Sequence, residues 1–169
     1  MLGANRYGKS QVRVVKVTRT PGHHTLRDLT VDVMLEGDFA AAHTRGDNRG
    51  LPATDTMRNT IYVLANRHPL DTLESFGGAL VEHFMGRPAV IGVTVRVREH
   101  PWERLGDHEH AFQRGYGGTR VATVSVSRSA SVSPSRSSRT GTPPAGRPRA
   151  VSSTWVVITA PPAGAGGRS

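Results

Sequence analysis

Residues 29–35 constrain this chain most tightly. Leu29, Val31, Val33 and Leu35 fall on one side of an extended segment, and Asp28, Thr30, Asp32 and Glu36 on the other. Successive side chains of a strand point to opposite faces, so this pattern demands a dry layer on one side and tolerates water on the other. That describes an antiparallel sheet rather than a parallel one, whose strands are apolar on both faces. A valine-rich segment at residues 11–18 precedes it, and its alternation slips between Val14 and Val15, where a β-bulge is expected. Pro21 and Gly22 supply the turn of a hairpin. Val93, Val95 and Val97, alternating with Thr94, Arg96 and Arg98, predict a third strand, and residues 120–124 part of a fourth.

Two helices are expected between these strand pairs. Pro52 interrupts what precedes it, and Thr54 or Asp55 is placed to cap a helix whose apolar stripe is Met57, Ile61 and Leu64, ending near Arg67 before Pro69. Asp71, with Glu74 three residues on, is placed to cap a second helix with the stripe Leu73, Phe76, Leu80 and Phe84, closed by Gly86 and Pro88. Strand, strand, helix, helix, strand, strand is the order of an α+β sandwich with helices on one face of an antiparallel sheet. The regions around Gly46-Asp-Asn and residues 107–118 read as connections. The entrance of the first helix has unpaired N–H groups and the positive end of the helix dipole, which suit an anion or a carbonyl edge beside Thr54 and Asp55. Taken alone, a Thr-Asp pair at this position is most often a plain cap.

The charge is unevenly spread. The formal net charge is +9, yet all 13 acidic residues and 16 of the 22 Lys and Arg lie in residues 1–124, leaving six Arg and no acid in residues 125–169. That last segment is rich in Ser, Pro, Arg and Gly, lacks a periodic apolar face, and is expected to form a low-complexity tail; only Thr154-Trp-Val-Val-Ile-Thr is strand-like. Two readings of the tail are open. Its Ser-Arg stretch resembles a nucleic-acid-binding or phosphorylatable tail, whereas its composition and abrupt loss of acids fit out-of-frame translation of a GC-rich gene. With few aromatics and no folded reader, nucleic acid is not the expected partner. The apolar fraction of 36% also suits a chain that is only partly folded. With no cysteine, neither a disulfide framework nor a thiolate site can form. No secretory leader or membrane span is expected, and the cytoplasm is the expected compartment.

Beyond these local patterns, several segments follow one another in a characteristic order. They are Arg-Tyr-Gly-Lys-Ser-Gln-Val-Arg-Val-Val-Lys-Val at residues 6–17, Leu-Glu-Gly-Asp-Phe at 35–39, Gly-Asp-Asn at 46–48, Ala-Thr-Asp-Thr-Met-Arg-Asn-Thr-Ile-Tyr at 53–62, His-Phe at 83–84 and Pro-Trp-Glu-Arg at 101–104. In combination they resemble the urate oxidases, over roughly residues 6–124, and beyond Val124 the likeness stops.

The resemblance implies a tunnelling fold, of which the family's proteins carry two tandem copies and assemble as tetramers; residues 1–124 match the first copy. It implies oxidation of urate by dioxygen and water to 5-hydroxyisourate and hydrogen peroxide, with no metal or organic cofactor. Lys9 and Thr54 match the family's paired lysine and threonine of a proton relay, and Thr54 and Asp55 match positions that hold the purine from a neighbouring subunit. The relay histidine, the phenylalanine that stacks on the purine, and the arginine and glutamine that clamp it belong to the family's second copy and have no counterpart here. This chain alone is therefore expected to have little or no urate oxidase activity. His23, His24, His108 and His110 have spacings compatible with metal ligation, but are expected to be exposed loop histidines. The alternative within the same fold is a relative that binds pterins or purines, which would call for a purine-anchoring carboxylate and often metal ligands.

Overall fold

The computed structural model describes residues 5–108 and 110–128. Four strands, β1 (Asn5–Thr20), β2 (His23–Gly37), β3 (Val90–Glu99) and β6 (Arg120–Ser127), form an antiparallel sheet in the order β1-β2-β3-β6. Two short strands, β4 (Trp102–Arg104) and β5 (Phe112–Arg114), form a separate hairpin. Helices α2 (Thr54–Arg67) and α3 (Leu73–Met85) pack on one face, α2 over β1 and α3 over β3 and β6. A one-and-a-half-turn helix, α1 (Ala40–Arg45), follows β2. The expected α+β sandwich is present.

The alternation read in residues 29–35 sets the layering. Leu29, Val31, Val33 and Leu35 are buried together with Val93, Val95, Val97 and Val124, against Met57 and Ile61 of α2 and Phe76, Leu80 and Phe84 of α3. Fully burying one such side chain contributes roughly 1.5–3 kcal/mol, so this single apolar layer is the main source of stability. Gly77 lets α3 lie close on the sheet, since a Cβ there would meet Val124 Cγ2 at 2.9 Å.

Several local expectations need correction. The β-bulge is not at Val14–Val15. Lys9 pairs with Val33 and Val12 with Val31, so Ser10 and Gln11 together face the single residue Asp32, and Gln11 has φ of 60°. The apparent slip at Val15 has a simpler cause, for Val15 lies 59% exposed on the face away from the helices. Neither Thr54 nor Asp55 caps α2: Ala53 occupies the capping position without a side-chain bond, and Thr54 begins the helix. At α3 the cap is Thr72, not Asp71, because the extended backbone at Thr72 lets its hydroxyl accept from the Ser75 N–H at 3.1 Å. Strand β6 continues past Val124 to Ser127, and the Arg128 N–H donates to Ile91 O at 2.7 Å. The readings made of residues 129–169, including the strand-like Thr154 segment, lie outside the described residues.

Candidate functional site

The bulge decides where Lys9 points. Inward residues of β1 after the bulge are Val12 and Val14, and strict alternation from them would send Lys9 and Tyr7 to the opposite face. One inserted residue reverses the parity. Tyr7, paired with buried Leu35, packs on the core and meets Phe39 edge-on at 6.4 Å, and Lys9, paired with buried Val33, shares that face. Gly8 between them is required by close approach: a Cβ there would sit 2.2 Å from Val33 O.

The placement of α2 brings Thr54 toward the same place. At the helix C-terminus, Lys16 Nζ donates to Ala65 O, Asn66 O and His68 O at 3.1, 3.2 and 2.7 Å, which ties that end to the middle of β1. The other end follows Leu51, which packs on the core, and Gly50, where an added Cβ would lie 3.8 Å from Ala89 Cβ. Ala89 adjoins the start of β3, where Gly37 pairs with Val90 and Asn5 with Gly37. Helix α2 therefore runs along β1 with its N-terminus at the end of the sheet where β1 begins. From Ala65 to Thr54 it covers about 16 Å, and from Lys16 to Lys9 the strand covers about 20 Å. Lys9 and Thr54 thus lie on one face at one end of the sheet.

Among the described residues no hydrogen bond or ion pair holds the Lys9 ammonium, and none holds the Thr54 hydroxyl. Lys9 is half-buried and Thr54 exposed. Asp55, in the first turn, is exposed and makes an ion pair with Arg58 at 3.2 Å. Without a side-chain cap, the first N–H groups of α2 point outward beside Thr54 and Asp55, an arrangement suited to an electron-rich ligand edge. A neighbouring cleft of about 400 Å³ between α1 and the loop entering α2 is lined by residues including Phe39, Arg49 and Leu51. Arg49 is committed there to Asp47, at 2.7 and 2.9 Å.

On the opposite face a second polar group forms around Asp28, which the sequence reading did not single out. Arg13 donates to its two carboxylate oxygens at 2.5 and 2.6 Å, and Trp102 Nε1 donates at 2.8 Å. Burial pushes the Asp28 carboxyl upward, but these bonds and the charges of Arg13 and His100 outweigh it and hold the group below the ordinary carboxylate range. His100 lies with Nε2 2.8 Å from Thr30 Oγ1, and burial, then the charge of Arg13, lowers its pKa. Of the four histidines expected in exposed loops, His108 and His110 are so placed, but His23 and His24 open β2 and His24 is half-buried; His24 Nδ1 and His110 Nδ1 are 3.0 Å apart, and Arg104 reaches His23 Nδ1 and His24 O. Among the described residues no group of three or more His, Asp or Glu is arranged to hold a metal ion.

The uricase family model matches residues 5–125. A uricase from Arthrobacter globiformis is 45% identical over 130 residues, covering 76% of this chain and 43% of the relative. A uricase from Emericella nidulans is 39% identical over 132 residues, covering 74% and 44%. The crystal structure of the Arthrobacter globiformis uricase superposes with a TM-score of 0.72 at 43% identity, over 77% of this chain and 45% of that one. The chain spans somewhat less than half the length of these relatives.

Proposed function

Because the chain belongs to the uricase family, we propose that its folded part supplies one side of a urate-oxidising site, with Lys9 and Thr54 as proton-relay groups and Thr54 and Asp55 as contacts to the purine. The observation that carries this reading is the placement of a half-buried lysine, unpaired among the described residues, on the same face and at the same end of the sheet as an uncapped helix entrance. Urate is an electron-rich, anionic purine. The outward N–H groups of α2 suit its oxygen and nitrogen edge, and the positive end of the helix dipole favours its charge. Lys9 can donate or accept a proton through the Thr54 hydroxyl, which relays without holding charge itself.

The overall reaction joins urate, dioxygen and water to give 5-hydroxyisourate and hydrogen peroxide. Urate supplies two electrons to dioxygen and water supplies the hydroxyl, so protons must leave the purine and water and reach the reduced oxygen. Lys9 and Thr54 serve that traffic, and Asp55 fixes the ring beside them. The groups that complete the site come from a second domain and a neighbouring subunit in a tetramer, outside the part that this chain matches. No metal or organic cofactor is required. The described residues hold no helix long and apolar enough to cross a membrane, and we place the protein in the cytoplasm. We assign the chemistry to the domain of residues 1–124, whose last strand runs on to Ser127, and give residues 129–169 no part in it.

Titration of isotopically labelled chain with urate or with neopterin tests the ligand class. Urate should shift the amide signals of Lys9, Thr54 and Asp55 in a saturable manner, while neopterin leaves them in place. Saturable shifts with neopterin and none with urate would reassign the site to a pterin-binding relative.

A further inference from the structure

Lys9 faces the helix layer only because of the extra residue in β1, and that irregularity has an identifiable holder. Ser10 and Gln11 lie opposite Asp32, with Gln11 in the left-handed region at φ of 60°. A glutamine gains nothing intrinsically from that conformation, which glycine would adopt freely. The bulge also takes the Gln11 N–H out of the regular ladder. Asp32 Oδ1 accepts that N–H at 2.7 Å, while Asp32 Oδ2 accepts from Arg98 NH2 at 3.1 Å. The carboxylate is thus fixed from β3 on one side and grips the distorted turn of β1 on the other. The apolar neighbours Val31 and Val33 are fully buried, so β2 itself cannot shift to follow β1.

We propose that Asp32, oriented by Arg98, is a positioning residue for Lys9: its bond to Gln11 stabilises the bulge that reverses the parity of β1 and presents the lysine beside the α2 entrance. The inference rests on the reading of Lys9 as a relay group, but the orientation it describes can be measured independently of any ligand. Without the Asp32 acceptor the bulge loses its hold, and the regular register it competes with sends Lys9 and Tyr7 to the other face, toward Met34. Asp32 itself touches no substrate in this account.

The test compares the full chain with Asp32→Ala, Asp32→Asn and the double variant Asp32→Ala/Gln11→Gly by nuclear magnetic resonance. In the unaltered chain Lys9 side-chain protons should show contacts to Val33 methyls, and the Gln11 amide should exchange slowly. Asp32→Ala should speed that exchange at least tenfold and replace the Val33 contacts with contacts to Met34. The added glycine, which adopts positive φ without help, should restore the original contacts although the carboxylate is still absent. Unchanged Gln11 exchange and Lys9 contacts in Asp32→Ala would overturn the proposal, as would failure of glycine to rescue a folded double variant. Should Asp32→Ala not fold, Asp32→Asn decides: faster Gln11 exchange supports the proposal and unchanged exchange overturns it. Urate added to the same samples separates the two claims. Loss of urate-induced shifts at Lys9 in Asp32→Ala, with recovery in the double variant, supports positioning for function. Absence of such shifts in the unaltered chain defeats the urate reading, and the Lys9 contacts then judge the positioning claim alone.

Discussion

Asp28 shows how a single residue can bind a secondary feature to the sheet. Its side chain is 2% exposed and joins Arg13 of β1 to Trp102 of the β4–β5 hairpin. Replacing it with asparagine preserves the shape while removing charge from its hydrogen bonds. A cost of about 2 kcal/mol at neutral pH is expected, readable as a lower urea midpoint. The pH dependence follows from the two lowered pKa values. A carboxyl held below its unfolded value near 3.9 contributes stability above that pH, which is lost as the pH falls through the folded value. His100 is also lowered, so the unfolded chain takes up its proton first, and stability starts to fall below about 6.5 until the folded value is passed. Stability should decline in two stages, and Asp28→Asn should flatten only the one below about pH 4.

At the scale of elements, α2 is held from behind rather than capped in front. Lys16 closes its last carbonyls, and a cation in this partly buried position is worth up to about 2 kcal/mol. Lys16→Met should cost about 1–2 kcal/mol in urea unfolding and should speed amide exchange first in the last turn of α2. The elements differ in how readily sequence discloses them. Leu29 to Leu35, and the stripes of α2 and α3, were legible because burial follows a local period. The six residues of α1 bury nothing, and the three-residue strands flanking the 105–111 connection are too short to display any period, so neither was visible. The bulge was misplaced because its cause lies 21 positions away in Asp32, where no window around Val14 can find it. The cap of α3 fell one residue away because Asp71 and Thr72 both have suitable chemistry and the extended backbone at Thr72 chose between them, whereas at α2 the capping position fell on Ala53, whose side chain has no capping chemistry at all. Lys9 was identified only through family resemblance, because it precedes the valine-rich pattern of residues 11–18, whereas Thr54 also stood beside a helix entrance suited to an anion, where a plain cap was the commoner reading.

At the scale of the whole molecule, the described residues form a four-stranded layered sheet with outer strands β1 and β6 and a separate two-stranded hairpin, in a family whose compared members are more than twice as long as the matched part. Binding and positioning groups that act as a unit lose most of their effect when divided. The most direct measurement is urate oxidation, followed by loss of urate absorbance together with peroxide formation, in two proteins side by side. One is the purified 169-residue chain, and the other a chimera in which residues 5–128 replace their counterparts in the Arthrobacter globiformis uricase. The chain alone should show negligible turnover and the chimera robust turnover, and kcat should fall at least 100-fold when the chimera carries Lys9→Met, with assembly unchanged. A folded, assembled chimera that is inactive, or one that Lys9→Met leaves fully active, would contradict this reading, as would efficient turnover by the chain alone.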